Sequence, residues 1–381
     1  MSNEQLSISK DQQSMNVVIE ERVKVESFKD KVIRRFKKNN LAVVGLVLVS
    51  IIILISLFAP FLSPYDYKGS KVANSYLPPQ RIHFIDEKGD FHLHPFVYKL
   101  EEGMDPDTWE RTYVEDTARR YPINFFVSGW SYKVLGLFKM DLHLFGVEDQ
   151  VTFHILGTDQ LGRDLLSRII YGSRVSVTIA LLGATITVIV GSAIGAISGY
   201  YAGKVDMIIQ RIIEMIKMFP KLPLWMALSV AIPAEWPPMA TLTGIICIFA
   251  FLSWTDLARE VRGKVLSYRN TEFVLAAETL GAPTSYIIIK HILPNALSHI
   301  IIIGTITIPQ LVLSESALSF LGLGLQPPMV SWGVLLNNAS NLQTISQYPW
   351  LMIPGLFILV TVLGFNFLGD GLRDAIDPYG D

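Results

Sequence analysis

From Leu41 to Leu62 the chain carries no charged residue. A run of this length and character limits the fold more than any other feature. Crossing the hydrocarbon layer of a bilayer takes about 20 residues at about 1.5 Å each, and lipid offers the backbone no hydrogen-bond partner, so such a run must be helical. The basic stretch Lys29, Lys31, Arg34, Arg35, Lys37, Lys38 precedes it. No small-residue cleavage site follows and the run begins too far from the N-terminus, so it reads as a retained anchor and not a signal peptide.

Five further segments qualify, giving six expected spans. The second runs from about Val175 to Gly199, with Gly183, Gly191, Gly195 and Gly199 expected on one face where a neighbouring helix approaches closely. The third is irregular. Leu222 to Pro233 is too short alone and is extended back to about Met207 through Arg211, Glu214 and Lys217, with kinks expected at Pro220 and Pro223. Its charges fit either a helix projecting into the cytosol or the inner mouth of a pathway, which makes Arg211 and Glu214 candidate pathway residues. The others are about Met239 to Leu257, Leu297 to Ser316 and Leu351 to Gly369.

Composition agrees: 50% hydrophobic and 17% charged residues exclude an ordinary soluble protein. With Lys+Arg 32 against Asp+Glu 34, the basic excess of a nucleic-acid binder is absent. The single cysteine, Cys247, excludes an intrachain disulfide or a Cys-rich zinc site. Sorted by side, the charges are informative. With the N-terminus inside, the inner segments hold Lys204, Arg259, Arg262, Lys264, Arg269, Lys290 and Arg373, while the short outer loops Pro233 to Pro238 and Ala317 to Trp350 hold no Lys or Arg. Both termini are therefore expected in the cytoplasm.

The domain order follows: a cytoplasmic tail over 1–40, the first span over 41–62, an extracytoplasmic insertion over 63–154 and a transport domain over 155–381. The insertion is polar and rich in aromatic residues. Arg81 to Asp86 and Phe91 to Tyr98 alternate across Glu87-Lys88-Gly89-Asp90 as a hairpin, Tyr121 to Tyr132 and Lys139 to Phe145 supply further strands, and Asp105 to Arg120 reads as helical. The expected subdomain is thus small and mixed α/β, placed to contact another protein or shield a translocation mouth. His83, His92 and His94 could meet on one strand face, but a solvated face is the better reading than a metal site. Asp159, Arg163 and Asp164 read as a charged turn at a helix start, and Asp256 and Arg259 as an intrahelical pair or part of a docking surface.

The most informative segment is the inner connection 258–296. Glu272-Phe273-Val274-Leu275-Ala276-Ala277-Glu278-Thr279-Leu280-Gly281-Ala282-Pro283 reads as a short helix, a Gly stop and a Pro restart, and His291-Ile292-Leu293-Pro294 places another Pro before the next span. Ala276 and Ala277 leave a shallow surface suited to another protein's cleft.

These residues resemble the inner-membrane permease signature of ABC importers, where Glu-Ala-Ala, a following Gly and a distal Ile-x-Leu-Pro mark the ATPase-docking loop. Leu275 stands where that signature has glutamate, and Glu278 takes a place often basic in peptide permeases. Leu156 to Asp164, Tyr171-Gly172-Ser173-Arg174, Ser319 to Gly324, Ser331-Trp332-Gly333 and Phe365 to Asp374 are similar to the C-type subunit of oligopeptide and dipeptide permeases. The resemblance implies an all-α polytopic membrane protein of the type I importer class with six transmembrane helices, in a bacterial or archaeal inner membrane.

It further implies a homologous B-type permease subunit, two cytoplasmic ABC ATPases that carry ATP and Mg, an extracytoplasmic peptide-binding protein and a peptide substrate. Glu272, Ala276, Ala277, Gly281, Pro283, Leu293 and Pro294 are then the ATPase-coupling residues. Relatives of this kind also move nickel complexes or sugars. No Gly-x-x-x-x-Gly-Lys-Ser/Thr loop occurs, so the energy must come from a partner, and no cofactor is expected in this chain. The leading candidate among ionisable residues at lipid depth is Glu315, beside Ser314: it either faces the pathway and meets a peptide's amino end or closes a hydrogen-bond network. A secondary transporter or a membrane-embedded enzyme would need a midplane charge set or a catalytic constellation, and neither is evident.

Overall fold

Five helices are long and apolar enough to cross a membrane in the computed structural model, which describes residues 28–104, 106, 111–134, 138–147, 152–233 and 235–376. Residues 1–27 of the expected tail, and residues 105 and 107–110 of the expected insertion helix, lie outside the described residues. An amphipathic helix α1 (Phe28–Lys38) leads into the first long helix, α2 (Asn40–Leu57), whose N-cap Asn39 accepts from the Ala42 amide. The other four long helices are α3 (Leu165–Tyr201), α6 (Pro238–Tyr268), α8 (Thr284–Phe320) and α11 (Pro349–Ile376).

The expected third span does not form as one helix. It divides into α4 (Gly203–Lys217) and α5 (Lys221–Val230), which at about 1.5 Å per residue are each too short to cross a hydrocarbon layer of about 30 Å. Pro220 adopts an extended conformation as the N-cap of α5, so it breaks the helix where a kink was expected. Pro223 sits in the first turn of α5, where a missing N–H costs nothing. Among the described residues there are therefore five long apolar helices and not the six expected. Together α4 and α5 run antiparallel to α6, from Asp206 beside Arg262, through Trp225 against Phe249 with ring centroids 5.1 Å apart, to Ile232 beside Gly244.

Helix α8 is longer than its expected span, Leu297 to Ser316, because Pro294 does not end it. Residues Ile287–Ile292 widen into a π turn, and the Leu293 amide reaches back to the Ile288 carbonyl. A wide turn ahead of Pro294 accommodates the missing donor and the ring's bulk. At the centre of the fold α3 packs against α6 through Gly191, Gly195 and Gly199, which face Leu257, Ala258 and Val265. Gly183 faces Leu311 of α8 instead. At about 100° per residue the stripe drifts by about 40° every four residues, so Gly183 stands about 80°, 120° and 160° round the helix from Gly191, Gly195 and Gly199, and the glycines serve two neighbours.

The insertion is an antiparallel sheet in the order β1-β2-β3-β4, made of β1 (His83–Ile85), β2 (Phe91–Met104), β3 (Arg111–Val134) and β4 (Phe138–Val147). The expected hairpin is present: the Asp86 side chain accepts from the Lys88 and Asp90 amides, and Gly89 turns the chain at φ +87°. Over Arg111 to Arg120, its described run, the expected helix of Asp105 to Arg120 is a strand instead. Arg111 to Arg120 open β3, paired with Met104 to Tyr98, and Arg111 and Glu102 form a 3.2 Å ion pair across the strands. Thr112, Tyr113, Val114 and Thr117 favour a strand, and no apolar stripe of helical period opposes it. The expected mixed α/β subdomain is thus a sheet without that helix.

Two short helices, α9 (Trp332–Asn337) and α10 (Leu342–Gln347), complete the end of the bundle from which the insertion emerges. The root of the insertion is fixed to this end. Tyr76 stacks on Tyr348 with ring centroids 3.9 Å apart, Tyr67 on Tyr171 at 4.1 Å, and the Trp350 indole donates to the Thr158 carbonyl.

Candidate functional site

The elbow predicted on the inner side is built as its residues dictate. Helix α7 (Glu272–Thr279) ends where the Leu280 amide bonds to the Ala276 carbonyl and Gly281 takes φ +78°, and Pro283 caps the next helix in extended conformation. One face of this elbow is buried. Val274, Ala277, Ile287 and Ile292 pack with Ala196, Tyr200, Val261 and Val265, so the elbow is fixed to the C-terminal ends of α3 and α6 and to the start of α8. The other face is open: Glu272, Phe273, Leu275, Ala276, Gly281, Pro283 and Pro294 are exposed, and Leu280 is 87% exposed. Leu293 is half-buried. The two alanines therefore divide the work: Ala277 lets the helix approach the core, and Ala276 belongs to the open face.

Sequence reasoning missed the hydrogen bond that fixes this helix. The Tyr200 hydroxyl, at the end of α3, donates to Glu278 at 2.7 Å. The two residues lie 78 positions apart, so no local pattern marks them.

Beside the elbow, polar pairs connect α4 to α6. Arg262 holds Asp206 through both of its oxygens, with Nη2 to Oδ2 at 2.6 Å, and Ser198 donates to the same carboxylate. The guanidinium keeps the Asp206 carboxyl below its usual pKa. Lys217 and Lys221 both bind Asp256, and Arg259 reaches Gln210 at 3.5 Å and Glu214 at 3.9 Å. Asp256 and Arg259 thus serve different partners and do not form the expected intrahelical pair. Arg211 and Glu214 meet at 2.8 Å on the surface.

Glu315 is 1% exposed. Ser176 of α3 donates to one of its oxygens at 3.0 Å and Ser319 to the other at 2.8 Å, while Ser176 also accepts from the Trp332 amide. Ser314 donates instead to the Gln310 carbonyl on its own helix. The charged turn is also built as a structural unit. Asp159 binds Arg163 at 2.7 Å and the buried Arg168, and Asp164 caps α3 by accepting from the Ser167 amide while holding His154 at 2.8 Å. In the insertion His92 pairs with Asp86 at 3.0 Å and His83 with Glu115 at 3.0 Å. Among the described residues no cluster of three metal-ligating side chains is found.

Residues 191–379 match the family described as the binding-protein-dependent transport system inner membrane component. Residues 27–79 match the N-terminal TM domain of oligopeptide transport permease C. Among curated relatives, the oligopeptide transport system permease protein OppC of Bacillus subtilis is 33% identical over 345 residues, covering 90% of this chain and 87% of that protein. The dipeptide transport system permease protein DppC of the same organism is 33% identical over 347 residues, covering 91% and 84%. OppC of Haemophilus influenzae is 44% identical over 227 residues, covering 59% and 70%.

Proposed function

Because the chain belongs to the binding-protein-dependent transport permeases, among the oligopeptide and dipeptide permease C proteins, we propose that it is the membrane subunit of an ATP-driven peptide importer. It is a multi-pass transport subunit and not an enzyme; hydrolysis belongs to partner ATPases. The carrying observation is the elbow, which offers an open face of Phe273, Leu275, Ala276 and Leu280 while its other face is packed into three long helices. A push on such a face moves those helices together, as a rigid-body switch between inward- and outward-facing states requires. Leu275, in place of the signature glutamate, makes this contact apolar.

The chain forms half of the pathway beside a homologous B-type subunit, above two cytoplasmic ATPases and below an external peptide-binding protein. The transport domain is 155–381, with its coupling segment in 258–296. Both termini face the cytoplasm, with the antiparallel α4–α5 pair completing the traverse that the five long helices leave open. Arg211 and Glu214 lie at the inner end of that pair, at the pathway mouth. Glu315, closed off by serines, ties α3 to α8, and this network reading has more support than direct contact with a peptide's amino end. The sheet stands at the outer mouth, where it meets the binding protein.

Affinity capture of the tagged chain from its native membrane recovers an ABC ATPase and a second permease, and its deletion abolishes uptake of labelled peptides. Phe273→Asp with Leu280→Asp leaves the permease pair intact and releases the ATPase. Retention of the ATPase by that variant would refute the elbow as the docking site. Normal peptide uptake in the deletion strain would refute the substrate class.

A further inference from the structure

At the outer end of α2 lies a cavity of about 430 Å³ whose lining is almost wholly carbon. Leu57, Phe58 and Phe61 come from the end of the first span, and Tyr132, Val134 and Met140 from β3 and β4. One charged residue, Arg174, lines it.

Its depth is set by the sequence. Leu57, Phe58 and Phe61 lie in the last turns of the first uncharged run, which reaches Leu62, and Arg174 stands immediately before the apolar run of α3 that begins at Val175. Both runs therefore place the cavity where hydrocarbon gives way to headgroups. The cavity continues the lipid-facing side of α2, on which Leu54, Leu57 and Phe58 are exposed. Arg174 is exposed, and among the described residues no carboxylate pairs with it. An unpaired guanidinium over an apolar groove complements one chemistry: an oxyanion attached to hydrocarbon. Its planar fork suits a phosphate, bound through two parallel hydrogen bonds.

We infer that this cavity is a binding site for an anionic phospholipid of the outer leaflet, an acyl chain lying against Leu57, Phe61 and Met140 and the phosphate on Arg174. The volume falls in the range of small-molecule sites. The lipid joins the first span to β3 and β4, so its occupancy fixes the sheet relative to the outer ends of α2 and α3.

Native mass spectrometry of the complete transporter tests this, after solubilisation with equal amounts of phosphatidylglycerol and phosphatidylcholine. The wild type retains phosphatidylglycerol selectively. Arg174→Gln lowers that preference by about tenfold, Arg174→Lys retains part of it, and Val134→Trp, which fills the cavity, removes retention of both lipids without loss of the ATPases. Equal phosphatidylglycerol retention in the wild type, Arg174→Gln and Val134→Trp would overturn the assignment. So would efficient cross-linking of Met140→Cys, in a Cys247→Ser background, to the second permease, because the cavity would then hold protein.

Discussion

Helices α3 and α4 both pack on α6, by opposite chemistries. Against α3 the contact is steric: Gly191, Gly195 and Gly199 bring the backbones so close that a Cβ on Gly195 would lie 2.5 Å from the Ala258 carbonyl oxygen. Against α4 ion pairs, Asp206 with Arg262 and Lys217 with Asp256, stand beside an apolar patch in which Ile213 is fully buried against Trp254 and Ala258. The far face of α4 leaves Ile208, Ile212 and Met215 exposed. Close packing is lost as a whole when helices slide, whereas exposed ion pairs contribute only about 0–1 kcal/mol each and exchange partners readily. The comparison separates a rigid unit, α3 with α6 and the elbow, from an element attached to it that can move.

The largest effect follows from disturbing the rigid unit. Gly195→Leu forces α3 and α6 apart and costs about 3 kcal/mol, read as a lower melting midpoint of the purified assembly and a smaller yield. Gly263→Leu on α6 is the control, because a Cβ there meets nothing within 4 Å. If both variants melt alike, the glycine contact is not what holds the unit together.

The second effect is on the attached element. Asp206→Asn removes a partly exposed, solvent-screened ion pair and costs about 1 kcal/mol. Since Arg262 depresses the Asp206 pKa, the contribution is complete above the ordinary carboxylate range and is lost as pH falls through the depressed value. The difference in melting midpoint between wild type and Asp206→Asn is therefore constant from about pH 7 to about pH 5 and closes below about pH 4. A difference that grows on acidification would show that the carboxylate is not the stabilising form.

What was legible in the sequence follows the same division. The long helices and the Gly281 stop are written in apolar runs and local backbone chemistry, which depend on neighbours in the chain. The grouping of Gly183 with the other three glycines failed because a stripe read over sixteen residues turns out of register with a single partner. The third span failed because charge and two prolines fall inside one apolar-looking segment, and its division depends on pairs to α6 made by residues 35 to 56 positions away. The strand at Arg111 to Arg120 is fixed by β2, and the bond from Tyr200 to Glu278 by tertiary approach; neither leaves a periodic trace.

Tyr200→Phe deletes the hydroxyl that holds Glu278 and loosens α7 by about 1 kcal/mol. It raises ATP consumed per peptide imported, with assembly unchanged; an unaltered ratio would mean that apolar packing alone carries the push.

The smallest effect concerns Gly281, where conformation and contact can be separated. At φ +78° an added side chain costs about 1 kcal/mol, partly offset by the about 0.5 kcal/mol gained from a stiffer unfolded chain. A Cβ at Gly281 meets nothing within 4 Å. In the isolated permease pair, therefore, Gly281→Ala and Gly281→Leu lower the melting midpoint equally and slightly. With the ATPases present the two diverge if the elbow sits in their cleft, because only leucine fills the space the partner needs. Equal coupling ratios in the two variants would place Gly281 outside the contact and restrict docking to the Phe273, Ala276 and Leu280 face.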